Sequence, residues 1–221
     1  MQMKLSILLA IPRSFLINII LFGIRGGCIP LIISNRVKVK GIKRGKIKIH
    51  GDYNKRILFG FGGTERICGN RNSYLIIGNE GIVEFYGKAF FGAGSSIRCD
   101  HGTLKFGNNF WCNKNCFFSC SEGISFGDDV LLGWNVNIRD TDGHDIVYDQ
   151  TRSDKNSHNH ECKIGNHVWL ASCVDILKGV SISSGSVVAY RSCVTKTFDK
   201  EKSLIAGYPA KVIRENIEWR R

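Results

Sequence analysis

The polar stretch RDTDGHDIVYDQTRSDKNSHNHECK, Arg139 to Lys163, holds three of the chain's six histidines and interrupts an otherwise regular apolar pattern. Long polar insertions on regular scaffolds carry function disproportionately often. Within it, His144 stands between Asp142 and Asp145. Imidazole titrates near neutral pH and can therefore exchange a proton with a bound group. Either carboxylate could hold its tautomer by reaching the other ring nitrogen, and the sequence does not choose between them. His158 and His160 read as exposed loop residues, and His167, next to Val168 in a strand pattern, is expected to face outward. A further grouping resembles a metal site. Cys112, Cys116 and Cys120 recur every four residues, but they fall in a strand-rich stretch where Cys is a common small core residue. No CxxC pair is present among the nine cysteines, so neither a disulfide framework nor a zinc-ribbon spacing is expected, and a reducing cytoplasm fits best.

The elements that position this loop are legible from a repeat. Apolar residues fall at Ile164, Leu170, Ile176, Ile182, Val188 and Val194, a period of six held six times. That period belongs neither to a helix nor to a simple alternating strand, but to the stacked coils of a parallel β-helix. About four extended residues and a bend make one side of a prism, with an aliphatic side chain pointing inward on each side. Phe106, Cys112 and Phe118 continue the period, as do Phe126, Leu132 and Ile138, and more loosely Phe85, Phe91 and Ile97. The step from Phe106 to Phe126 exceeds three hexads by two positions, so two extra residues must bulge from that coil. The pattern runs from about residue 57 to 198.

At 221 residues, with 43% hydrophobic and 23% charged residues, the chain suits one globular domain with a modest appendage, and argues against disorder or a polytopic membrane protein. Gly at 25 residues, against a background of roughly 7%, predicts many tight turns. A net charge of +12 predicts an anionic partner: nucleic acid, anionic lipid or a phosphorylated small molecule. Leu5 to Phe22 is largely apolar but interrupted by Pro12, Arg13 and Asn18. A helix lying against the inner membrane face, or docked on the domain, fits it better than a span or a cleaved signal. Behind it Arg36, Lys38, Lys40, Lys43, Arg44, Lys46 and Lys48 line extended chain, either as a solvated face or as a contact for anionic headgroups.

The hexad array, the segment Asp140 to Asp149 (DTDGHDIVYD), the segment Ile164 to Ser172 (IGNHVWLAS) and the segment Ala206 to Arg214 (AGYPAKVIR) together resemble hexapeptide-repeat acyltransferases. Within that family the chain is most similar to the acetyltransferases of capsule, exopolysaccharide and O-antigen gene clusters. That resemblance implies an all-β fold, a left-handed parallel β-helix with three hexads per coil. Its expected parts are an apolar N-terminal segment over 1–35, the β-helix over 36–198 with a protruding loop at 139–163, and a tail over 199–221 covering the cofactor site. It also implies a homotrimer with active sites between neighbouring subunits, and acetyl-CoA as co-substrate without a metal. His144 matches the family's general base, oriented by Asp142 or Asp145. A sugar hydroxyl is a poor nucleophile until such a base removes its proton. Trp169 and Asp140 fall beside the acceptor. Ala171, Ser172 and Ala189 fall along the pantetheine arm, whose carbonyls and amides would meet backbone amides there, while Tyr190 departs from the small residue often found at its position. Thr195, Lys196, Lys211 and Arg214 are cations and donors placed for the nucleotide phosphates, with Tyr208 and Pro209 against adenine.

The resulting expectation is an acetyl-CoA-dependent O-acetyltransferase of a saccharide, cytoplasmic, with possible peripheral contact to the anionic inner membrane and no nucleic-acid partner. Three alternatives use other features. An amino-sugar or serine-type N-acetyltransferase would share base and cofactor site, although no GxGxxG follows an early strand here. A γ-class carbonic anhydrase-like hydratase would need three histidines around zinc; His101, His144, His158 and His160 supply the number but not the spacing. A non-catalytic scaffold would have no use for His144 in its loop.

Overall fold

The computed structural model describes residues 2–54, 56–62, 72–144 and 160–221. After the helix Gln2–Phe22, successive strands step in turn through three sheets of nine, seven and six strands. From Ile57–Phe59 to Cys193–Val194 each strand pairs in parallel with the one three strands earlier, so the chain winds around a three-sided prism. The final hairpin, Leu204–Gly207 with Ala210–Arg214, is the antiparallel exception among the described pairings.

Each sheet contributes one inward ladder. On the nine-stranded sheet it runs Ile33, Phe59, Phe91, Cys112, Leu132, Leu170, Val188 and Ile205, in direct register and fully buried. The seven-stranded sheet carries Leu75, Ile97, Phe118, Ile138, Ile176 and Val194. The six-stranded sheet carries Ile49, Phe85, Phe106, Phe126, Ile164 and Ile182. Every hexad residue read from the sequence lies on one of these ladders. The coils differ in length: the step between register partners shortens from Phe85–Phe106, through Phe106–Phe126, to the strict three hexads of Ile164–Ile182. The longer coils carry phenylalanines and the three-hexad coils carry Ile, Leu and Val, as constant packing density demands of a varying perimeter. Phe106 stacks between Phe85 and Phe126, each 5.3 Å away. Between Phe85 and Val194 the extra residues sit at one corner, between the seven- and six-stranded sheets. Phe106 follows Ile97 by nine positions and Phe126 follows Phe118 by eight, where a hexad would need six, and the whole protruding loop stands between Ile138 and Ile164. The loop therefore enlarges a corner that is already slack two coils earlier.

The solenoid starts and ends differently from the expected boundaries. Its first strand is Leu31–Ile33, which pairs with Ile57–Phe59, so the coil begins before residue 36 and before residue 57. The first strand's outer edge, which has no coil to pair with, is covered by the helix: the Asn18 carboxamide accepts from Leu31 N and donates to Leu31 O, and Ser14 Oγ accepts from Ile33 N. At the other end both strands of the hairpin over 204–214 join the edge of the nine-stranded sheet. The last residues then run back along the corner between the six- and nine-stranded sheets. Ile217 N donates to Lys202 O, the Trp219 indole donates to His167 O, and Arg221 pairs with Asp129 at 3.2 Å. His167 does project outward, but it is clasped: its ring stacks on Trp219 at 4.0 Å and its Nδ1 lies 2.5 Å from Asp129 Oδ2.

Cys112 and Cys120 point inward on different sheets and Cys116 is buried at a corner, so the three act as core filler. The eight described cysteines are all free thiols. Burial pushes the Cys162 thiol up to about 11, so it stays protonated, and in the native protein it should resist iodoacetamide at mildly alkaline pH while exposed Cys28 reacts. Peptide mapping after labelling reads both. Phe106→Ala should cost about 3–5 kcal/mol, measured by urea denaturation, because neighbouring rungs are held in register and cannot collapse into the void.

Candidate active site

A groove of about 580 Å³ opens on the outside of the nine-stranded sheet and reaches its corner with the seven-stranded sheet. Trp169, Ala171, Ser172 and Ala189, four of the residues singled out from the sequence, line it together, and Trp134, Asn113, Leu131 and Tyr190 complete its walls. The coil geometry explains the assembly. Trp169 faces outward because Leu170 faces inward, and the residues after each strand turn the corner one above another, so Ala171 and Ala189 stack. The close rise of the coils also requires Gly133, since a Cβ there would lie 2.5 Å from Ser172 N. Tyr190 stands 61% exposed at the rim, narrowing the groove where a small residue was expected to leave it open.

Of the backbone amides expected to serve a ligand here, those of Ala171 and Ala189 are already used. Ala171 N donates to Val188 O and Ala189 N to Ile205 O, both in the stacking ladder, and Ser172 Oγ accepts from Trp134 N. What these residues offer is room. Among the buried side-chain donors of the described groove residues, the indole N–H of Trp134 is left without a partner, and no sequence pattern had singled it out.

The loop leaves from a different corner. Inward Ile138 and outward Arg139 put Asp140 inside, fully buried. Its carboxylate accepts from Ser121 N at 2.8 Å, Glu122 N at 2.8 Å and Gly123 N at 2.8 Å, satisfying the amides of the bulged corner one coil below. Asp140 is thus removed from the acceptor pocket: it is a structural anchor inside the wall. Its carbonyl accepts from His160 N at 2.9 Å, closing the loop's two ends on each other. Asp142 pairs with Lys178 of the next coil at 2.6 Å, so its carboxylate is turned to that ammonium. His144 follows on the exposed surface. Asp145 and His158 lie outside the described residues, and His160 is exposed at the loop's end.

The expected phosphate contacts divide between the two places. Lys211 and Arg214 project from the hairpin that extends the groove's own sheet, where Leu204 is itself a lining residue. Thr195 and Lys196 are exposed at the loop's corner instead, with the Lys196 ammonium 5.8 Å from the centre of the Phe198 ring.

No family model matches the chain. A putative lipopolysaccharide biosynthesis O-acetyl transferase of Escherichia coli K12 is 30% identical over 149 residues, covering 63% of this chain and 74% of the relative. The chain belongs to the hexapeptide-repeat acetyltransferase family. Galactoside O-acetyltransferase of Escherichia coli K12 is 32% identical over 145 residues, 66% of each chain. The solved structure of a galactoside acetyltransferase in complex with coenzyme A has a TM-score of 0.44 at 32% identity, over 63% of this chain and 64% of that one.

In this hexapeptide-repeat acetyltransferase the groove and the histidine loop stand on different sides of one prism. The loop springs from the junction of the seven- and six-stranded sheets, and the groove lies on the third sheet, opposite that junction. Asp140 fixes the position of the loop, so Asp140→Asn, which puts an amide donor against three backbone donors, should cost on the order of 3 kcal/mol. Urea denaturation checks it, and Asp140→Glu should recover little, since the longer side chain does not fit a fully buried site.

Proposed function

We propose that the chain is an acetyl-CoA-dependent O-acetyltransferase acting on a sugar hydroxyl of a bacterial surface polysaccharide or of its lipid-linked precursor. The observation that carries this reading is the groove: an outer strip of small residues, Ala171, Ser172 and Ala189, walled by Trp169 and Trp134, in a member of an acetyltransferase family. A slender flexible thioester arm fits such a strip, and the unpartnered Trp134 indole supplies a donor for one of its carbonyls. Lys211 and Arg214 at the end of the same sheet offer positive charge for the nucleotide phosphates.

In this reading His144 takes the proton of the sugar hydroxyl while that oxygen bonds to the thioester carbonyl carbon. The carbon–sulfur bond then breaks and the proton passes to the leaving sulfur, which yields the acetyl ester and free coenzyme A. Asp145 remains the candidate to orient the imidazole, since Asp142 is engaged by Lys178. The coil is left-handed and the enzyme a homotrimer, its active site formed by His144 of one protomer and the groove of the next. Two features support that assembly. His144 and the groove occupy opposite sides of one chain, and the groove's sheet turns the exposed indoles of Trp111 and Trp169 outward on either side of half-buried Leu131, where the six-stranded sheet presents Lys48, Glu84, Lys105, Ser125 and Lys163. Adjacent exposed indoles of this kind are enriched at protein interfaces. The enzyme works on the cytoplasmic side, where coenzyme A thioesters are available.

Acetyl-CoA and coenzyme A should each raise the melting temperature; ligand at about 100 times its dissociation constant adds roughly 2.7 kcal/mol to the folded state. His144→Ala should lower transfer to saccharide acceptors at least about 100-fold and leave that thermal shift intact. Near-normal transfer by the variant would remove His144 as the base. Ala189→Leu should do the reverse, raising KM for acetyl-CoA with little change in kcat. The product should lose its acetyl group in mild base, as an ester does and an amide does not; a base-stable product would move the acceptor to an amine.

A further inference from the structure

The N-terminal helix leaves most of its large apolar side chains exposed. Its domain-facing side buries polar groups alongside Ala10 and Leu21: Ser14 and Asn18 are fully buried on the edge of strand Leu31–Ile33, and the Arg13 guanidinium donates to Ser34 O and Val37 O at 2.9 and 2.8 Å. Its outer side is apolar, with Leu5, Leu8, Leu9, Leu16 and Ile20 each 57–64% exposed, and Ile24 just beyond it 98% exposed. Spacings of three, four and seven put these residues along one face.

The charge is gathered at the same end. Residues 1–62 contain 12 Lys and Arg against the single acid Asp52, which is +11 of the chain's +12; the rest of the chain is close to neutral. Lys38, Lys40, Lys43 and Arg44 are exposed on the first coil, which the helix caps. Lys48 is partly neutralised by Glu84 at 3.1 Å, so it adds least to this collar.

We infer that this end of the solenoid docks on an anionic lipid bilayer, with the helix lying in the plane of the interface, its outer leucines among the acyl chains and the first-coil cations against the phosphates. An apolar strip beside a basic collar is the composition of an interfacial helix. The charge selects this occupant over a second copy of the chain, because pairing two such ends would bring two charges of +11 together, whereas lipid phosphates neutralise them. The helix is long and apolar enough to cross a membrane by length and composition. Crossing would, however, strip Ser14, Asn18 and Arg13 from the first coil and leave a guanidinium in the middle of the segment. Docking in the plane keeps all of these bonds. The inference goes beyond acetyl transfer and does not depend on it.

The test is co-sedimentation of the full chain with phosphatidylglycerol-containing vesicles and with pure phosphatidylcholine vesicles. The chain should bind the anionic vesicles at least about tenfold better, and high salt should erase much of the difference. Two variants should each lose about tenfold in binding while melting as the parent does: Leu8→Ser/Leu16→Ser/Ile20→Ser, and Lys38→Gln/Lys40→Gln/Lys43→Gln/Arg44→Gln. Equal binding to both vesicle types would overturn the role of the cations. Resistance of the bound chain to alkaline carbonate would overturn the in-plane arrangement in favour of a span. Absence of vesicle binding, with a particle mass by light scattering that falls in the leucine variant, would assign the apolar face to a second copy and overturn the inference.

Discussion

Everything in this molecule depends on one constraint: each coil must return to register with the coil beneath it. A parallel ladder hydrogen-bonds every strand to its neighbours above and below, so an inward side chain that slips by one residue turns outward and takes its whole coil with it. Leu132 over Cys112 and under Leu170 illustrates the tolerance. The second of these steps contains the entire protruding loop and the first does not, yet the Cα pairing is direct in both. Chain length is free to vary only at corners. Between Phe85 and Val194 the variation collects at one corner, where the same gap is bridged in one coil by a short bulge, in another by a slightly longer one, and in a third by the whole loop. Function enters a solenoid by that route, since a corner can lengthen without disturbing any rung.

A lengthened corner leaves amides unpaired, and buried polar groups satisfy them. The bulged turn at Ser121 to Gly123 presents three N–H groups to the interior, and Asp140 accepts all three. The same logic governs the ends of the prism, where the ladder runs out. Asn18 imitates a strand residue by giving and accepting one hydrogen bond with Leu31, which spares the first strand from pairing with another chain. At the far end the chain folds back on itself and ties its last residues down a corner by Trp219 and Arg221.

These facts explain what could be read from the amino-acid order. The ladders were legible, including the Phe and Cys rungs of the middle coils, because inward positions recur at fixed intervals and a buried site accepts only apolar types. The assignment of Asp140 to the acceptor pocket failed because motif resemblance outweighed alternation: with Ile138 inward and Arg139 outward, residue 140 had to turn in. Trp134 was invisible for another reason. Its role depends on Ser172, which stacks over it from the far side of the loop, and no local pattern reports such a pairing. Trp219 meets His167 across a still longer stretch of chain, equally beyond any periodicity. The amides of Ala171 and Ala189 were misjudged because a small residue advertises space, whereas the state of its N–H is set by the coil above.

The separation of groove and loop follows from the same constraint. A strand that is straight enough to stack is too short to carry two distant functional groups to one point, so each corner holds its own part of the chemistry. Within one prism, the sheet bearing Trp169 faces away from the corner bearing His144, and no movement of the coils could bring them together without breaking register. A rigid scaffold of this kind gains a composite site by placing a second prism alongside, which leaves every ladder intact. The outer face of the groove's sheet around exposed Trp111 and Trp169 is the surface on which such a neighbour would lose least by displacing water. Rigidity is therefore what makes the single chain insufficient for the proposed chemistry, and also what would let its copies position a base and a thioester with little freedom to lose.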